Sequence, residues 1–356
     1  MKELFKKKSA ISKEFYVLFV LTGFLDLIFL FEEYFGFRFP QMAIYVYYAI
    51  LFLIDIFSTF FYIALLVFII KELFKKKSAI SKEFYVLFVL TGFLDLIFLF
   101  EEYFGFRFPQ MGFFQHFYMD YLLTTSIFTW CLTYSLAQVI LTASFGITAS
   151  FNRLSCIYWP MYYPKLWSSW RLFLLLAWPF PIITVYFIHF VQYPTTFALD
   201  DEDGVMVGSY ADPIPTFQSW FIVFLSHILT LILVAILNFL LIRKLKKVSI
   251  VESLASQVSK TEITLSKFAQ VYFVIILICV VDELILCIAN EFGWIAAYKY
   301  GMTFYMAVES LIIFFPPYTL MIISNDVRKM FFVFIGLRKN DLTVPKITIR
   351  VTKTVI

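Results

Sequence analysis

Residues 218–242 read QSWFIVFLSHILTLILVAILNFLLI and run straight into Arg243-Lys244-Leu245-Lys246-Lys247. A helix rises about 1.5 Å per residue, so roughly 20 apolar residues cross the hydrocarbon core of a bilayer. This stretch is long enough and carries no formal charge, and the basic cluster behind it marks a stop at a headgroup surface. Seven more runs share its character, near 15–35, 43–70, 84–104, 121–151, 172–192, 268–290 and 302–324. Of the 29 Lys and Arg residues, 26 fall in every second link between these runs, and only Arg38, Arg107 and Lys299 fall in the others. Such asymmetry is what the positive-inside rule produces, with the basic links in the cytoplasm. Hydrophobic residues make up 62% of the chain and charged residues 15%, with a mean hydropathy of +0.85. The chain therefore reads as an all-α, multi-pass membrane protein. Its net charge of +4 belongs to loops facing an anionic leaflet, and nucleic acid is not an expected partner.

The count of spans is distorted by a repeat. Residues 2–42 (KELFKKKSAISKEFYVLFVLTGFLDLIFLFEEYFGFRFPQM) recur unchanged at 71–111. Structural repeats diverge as each copy adapts to different neighbours, so perfect identity points to a recent duplication or an error in the gene model. Inverted-repeat transporters are a poor analogy, since both copies run from inside to outside and hold one helix each. Three parts follow: a duplicated segment, 1–42, with an extra hydrophobic helix that reads as a signal anchor; a seven-transmembrane bundle, 43–324, entered from outside; and a cytoplasmic tail, 325–356, whose residues Asp326 to Leu337 form a short amphipathic helix.

The longest outer link, 193–217, contains Asp200, Asp201, Glu202, Asp203 and Asp212 without Lys or Arg. It reads as a solvated loop, or as an acidic lid that gathers cations. Cys131, Cys156, Cys279 and Cys287 lie in or near the helices and act as small apolar residues. No outer disulfide is expected, no metal-ligand spacing joins the scattered His116, His189 and His227 to cysteine or carboxylate, and no cofactor is implied.

Polar groups inside a bilayer are costly and each needs a reason. Asp55 and Asp95 lie in the first two of the seven spans, Asp282 and Glu283 in the sixth, and Glu309 in the seventh. No Lys or Arg falls within these runs at matching depth, so the acids are expected to be protonated, hydrated or hydrogen-bonded, with His189 and His227 as possible partners. Two roles fit: hydrogen bonds that fix helix packing, or a small-molecule pocket in the outer half of the bundle lined by His189, His227, Asp282, Glu283 and Glu309. Pro179, Pro181, Pro316 and Pro317 interrupt the fourth and seventh helices.

At the inner end of the third span stand Asn152-Arg153-Leu154, then Cys156-Ile157-Tyr158-Trp159-Pro160 and Tyr163-Pro164-Lys165-Leu166-Trp167. Two further stretches are Glu83-Phe84-Tyr85 through Asp95 to Phe106-Arg107-Phe108-Pro109, and Pro316-Pro317-Tyr318 to Ser324-Asn325-Asp326-Val327-Arg328-Lys329. In this order, over roughly 42–337, they resemble nematode serpentine chemoreceptors of class gamma. The resemblance implies a G-protein-coupled-receptor-like protein in the plasma membrane of sensory neurons, taking a small environmental or pheromonal ligand and a heterotrimeric G protein. It makes Arg153 the third-helix arginine and Pro316-Pro317-Tyr318 the seventh-helix motif, so Asn152, Arg153, Leu154 and these three residues become coupling candidates. The chain departs from the pattern at Leu154, where an aromatic is usual, and at Asn152, where other seven-helix receptors carry an acid. Rival readings are a transporter or channel, disfavoured by 11 Gly and no inverted repeat, and a non-functional product of a rearranged gene. No hydrolase, P-loop or dinucleotide motif suggests an enzyme.

Overall fold

A computed structural model describes residues 40–75, 82–199, 206–251 and 256–337. The expected extra helix near 15–35, the acidic run 200–203 and the tail beyond 337 lie outside the described residues. Helices α1 (Pro40–Leu73), α2 (Lys82–Glu102) and α3 (Ile127–Tyr158) are followed by α4 (Ser169–Ala177) and α5 (Pro179–Phe190). An antiparallel hairpin of β1 (Thr195–Leu199) and β2 (Met206–Tyr210) leads to α6 (Pro213–Val251), α7 (Ser256–Glu291), α8 (Ile295–Ile323) and α9 (Asn325–Phe334).

Six of the membrane spans, α1, α3, α4 with α5, α6, α7 and α8, are long and apolar enough to cross a bilayer by length and composition. Helix α2 is the seventh, with 21 residues; its acids Asp95, Glu101 and Glu102 set it apart, and all three are buried. This is an all-α seven-helix bundle. Each helix ends where the local chemistry stops it. Trp159 precedes a proline and leaves the helical region at φ −130° and ψ 59°, closing α3. Gly293 adopts φ +65° beyond α7, which lets Trp294 N–H donate to Ala289 O at 2.8 Å. Between Pro215 and Gly293 the sequence has neither Pro nor Gly, so α6 and α7 run far beyond the bilayer and much of the basic third inner link is helical.

Helix α3 is the centre of the bundle, with 72% of its most apolar window buried, whereas the span formed by α4 and α5 has only 11% and lies at the edge. Side chains such as Phe57, Phe60, Phe100 and Val185 project exposed from the spans, as a surface solvated by lipid tails requires. The outer link is more ordered than a solvated loop. Phe197 and Met206 point inward from the hairpin onto Phe128 and Tyr118. Thr133 Oγ1 and Tyr210 Oη lie 3.0 Å apart, tying the hairpin to α3. Gly208 is needed there, since a Cβ would stand 2.2 Å from the Phe128 ring. At the inner surface Ser324 Oγ accepts from Val327 N–H and starts α9. Phe331 seats that helix on Phe61 and Phe68 while Lys329 faces out, the arrangement of a helix lying on a membrane surface.

Candidate functional sites

The first polar centre is one that sequence reading did not assemble. Beyond α2 the backbone makes a π turn, Tyr103–Arg107. In an α-helix the residue five on from Glu102 sits about 140° around the axis; the wider i→i+5 turn brings it back onto the same side. Arg107 therefore enters the bundle and is fully buried. Its guanidinium pairs with Asp55 of α1 and with Glu102 Oε2 at 2.7 Å. It also donates to Met306 O and Ser310 Oγ of α8, both at 2.9 Å. Tyr103 Oη and Ser310 Oγ each donate to Asp55 Oδ2, at 2.8 and 2.9 Å. This corrects the expectation that the intramembrane acids have no cation at their depth. Arg107 was hidden because, by position in the chain, it belongs to an outer link. The other described outer-side cation, Lys299, is buried as well.

The second centre lies in the core of the bundle, between α6 and α7. His227 stands halfway along the apolar part of α6, Glu283 within the apolar part of α7, and Glu309 in the middle of α8. His227 Nδ1 and Glu283 Oε1 share a buried hydrogen bond of 2.7 Å, and Cys279 Sγ lies 3.7 Å from the same oxygen. Glu309 is buried on the neighbouring helix α8. The sequence-derived set is thus split. His227 and Glu283 meet across α6 and α7, and Glu309 is buried on the neighbouring α8. Asp282 is buried one residue round the helix, facing Gly301 of α8. His189 is exposed near the outer end of α5, its ring edge-on to Phe190 and Tyr193. Since Glu283 is the hydrogen-bond acceptor for a buried imidazole, Glu283→Ala is expected to cost about 1–3 kcal/mol, and Glu283→Gln less. Thermal unfolding of the purified variants measures this; equal midpoints for both would mean that the pair contributes little.

The third centre is a cavity of about 430 Å³ at the cytoplasmic end, walled by α2, α3, α6, α7 and α8. Asn152, Arg153 and Cys156 line it from α3, Pro316 from α8, Ser324 from the junction of α8 and α9, and Asp95 at its inner reach. Asp95 accepts from Tyr62 Oη at 3.1 Å. Asn152 donates to Tyr163 Oη at 3.3 Å, and Trp167 Nε1 donates to Ser155 Oγ at 2.8 Å. The aromatic motif after α3 is therefore the anchor of the second inner loop. Leu154 is buried in packing. Pro316 and Pro317 lie within α8 and remove the donors that would serve the Ile312 and Ile313 carbonyls. Tyr318 faces α1, 3.0 Å from Ser58 Oγ and stacked on Phe61.

Residues 51–337 match the family model described as serpentine type 7TM GPCR chemoreceptor Srv. The chain belongs to this family. The match runs from within α1 to beyond α9 and so covers the three polar centres of this serpentine chemoreceptor together. Srv is a different serpentine class from the class gamma group that the motifs resemble; the serpentine chemoreceptor fold is common to both readings. No curated protein matches the chain. The Srv family is one of receptors and not of enzymes.

Proposed function

We propose that this chain is a chemosensory receptor of the plasma membrane that binds a small molecule and passes the signal to a heterotrimeric G protein through its cytoplasmic cavity. The observation that carries the reading is the cavity itself. It opens among the ends of five helices, and Asn152 and Arg153, the coupling candidates that the motif resemblance implies, form its wall beside Pro316. A site on the inner face that widens when helices shift is how receptors of this type engage a partner. The proline-released carbonyls of α8 offer a place for such a shift. A transporter would place its substrate site where broken helices of two repeats meet, and this bundle has no such pairing among the described residues. The experiment is to express the chain in cells and apply a panel of small environmental compounds. Nucleotide exchange on co-expressed Gα supports the reading, whereas ligand-evoked current or flux without exchange overturns it.

The working receptor, on this reading, begins at Met42. The family match takes in the second copy of the repeat, 71–111. Arg107 from that copy uses partners, Asp55 and Ser310, that lie outside the repeated segment. A chain starting at Met42 is expected to reach the surface and respond as the full chain does, because the basic link at Lys71–Lys82 holds its inner position unaided. Surface labelling of both forms checks this, and surface delivery of the full chain alone would make the first copy part of the architecture.

A further inference from the structure

We propose that His227, Cys279 and Glu283 bind a single divalent transition-metal ion of the zinc class in the core of the bundle. His227, Cys279 and Glu283 each offer a ligand atom, and these atoms lie within 4.8 Å of one another, all buried. Cys279 and Glu283 are four residues apart and share a face of α7. Nitrogen, sulfur and oxygen donors together suit zinc, while calcium and magnesium take oxygen alone.

The spacing fits. Around a tetrahedral zinc, a thiolate sulfur and a carboxylate oxygen stand about 3.6 Å apart, and Cys279 Sγ lies 3.7 Å from Glu283 Oε1. An imidazole nitrogen and a carboxylate oxygen would stand about 3.3 Å apart; from 2.7 Å, a rotamer adjustment of either side chain opens that gap. An independent observation points the same way. Glu283 Oε2 is buried with no hydrogen-bond partner, and such an atom is costly unless something answers it. A divalent cation held by the Cys279 thiolate, whose proton leaves on binding, and by both oxygens of the Glu283 carboxylate balances these two charges, answers Glu283 Oε2, and ties α6 to α7 through His227.

The full chain, purified in detergent and stripped with a chelator, is titrated with Co²⁺ alone and then with Zn²⁺ in competition. The expected result is one Co²⁺ per chain, with the strong visible absorption of a tetrahedral site and a thiolate-to-metal charge-transfer band, both removed by Zn²⁺. Cys279→Ser abolishes the charge-transfer band and weakens binding by more than about tenfold. A chain with Cys131, Cys156 and Cys287 changed to Ser retains Cys279 as its sole thiol and keeps the band. That second variant decides the matter even where Cys279→Ser does not fold. Absence of the band from the wild-type chain, or its loss from the single-thiol variant, overturns the proposal and leaves a metal-free His–Glu pair. Neither readout needs a ligand or a G protein, so failure here is distinct from failure of the receptor reading.

Discussion

Arg107→Ala is expected to reduce folded, monodisperse protein more than tenfold, whereas Arg38→Ala, at the matching position of the first repeat copy, leaves it unchanged. The guanidinium of Arg107 joins α1, the π turn after α2, and α8. Its removal strands Asp55 and Glu102 in a fully buried setting. Breaking a buried ion pair from one side costs about 3–5 kcal/mol, and each 1.4 kcal/mol is about a factor of ten in an equilibrium. Arg107→Lys should recover little. An ammonium has no planar fork with which to serve Asp55, Glu102, Met306 O and Ser310 Oγ together. Removing all the charges at once, as Asp55→Leu, Glu102→Leu and Arg107→Met, should cost less than Arg107→Ala, because no charge is then left uncompensated. Fluorescence-detected size exclusion with a thermal ramp ranks the variants. Damage from Arg38→Ala with a silent Arg107→Ala would mean that the first copy, not the second, fills the bundle position.

Arg153→Ala is expected to abolish G-protein nucleotide exchange while leaving surface level and unfolding temperature near wild type. Arg153 is half-buried on the wall of the cytoplasmic cavity, so its loss alters the surface offered to a partner more than the packing of the bundle. Asn152→Ala should behave differently. Asn152 is buried and holds Tyr163 of the second inner loop, so its removal disturbs the loop and stability together. Exchange measured in membranes, without ligand and with any active compound from the panel, separates the two. Full exchange by the Arg153 variant would remove this residue from coupling.

Much of the bundle could be read before any coordinates. Apolar run length is a local property set by bilayer thickness, and the distribution of Lys and Arg orients the runs without tertiary information. The seven spans and the amphipathic α9, expected over Asp326 to Leu337 and found at Asn325–Phe334, follow from that. Helix ends moved by several residues because capping, and not hydropathy, stops a helix: α6 and α7 continue into water for want of a Pro or Gly. The hairpin over α3 was missed since its strands are short and its inward residues, Phe197 and Met206, find partners only across the chain.

The polar sites show the division most clearly. Single residues such as Asp55, His227, Glu283 and Glu309 stand out in sequence, because a polar group in an apolar run is costly wherever it lies. Their partners do not stand out. Arg107 meets Asp55 only because a π turn rotates it inward, and His227 meets Glu283 only because α6 packs on α7. His189, as conspicuous in sequence as His227, faces outward from a peripheral helix. Chain chemistry thus determined which segments enter the membrane, in which direction, and which side chains require a partner there. Only the packing of helices distant in sequence decided the pairs, because hydrogen bonds and ion pairs form over a few ångströms in space and are indifferent to separation along the chain.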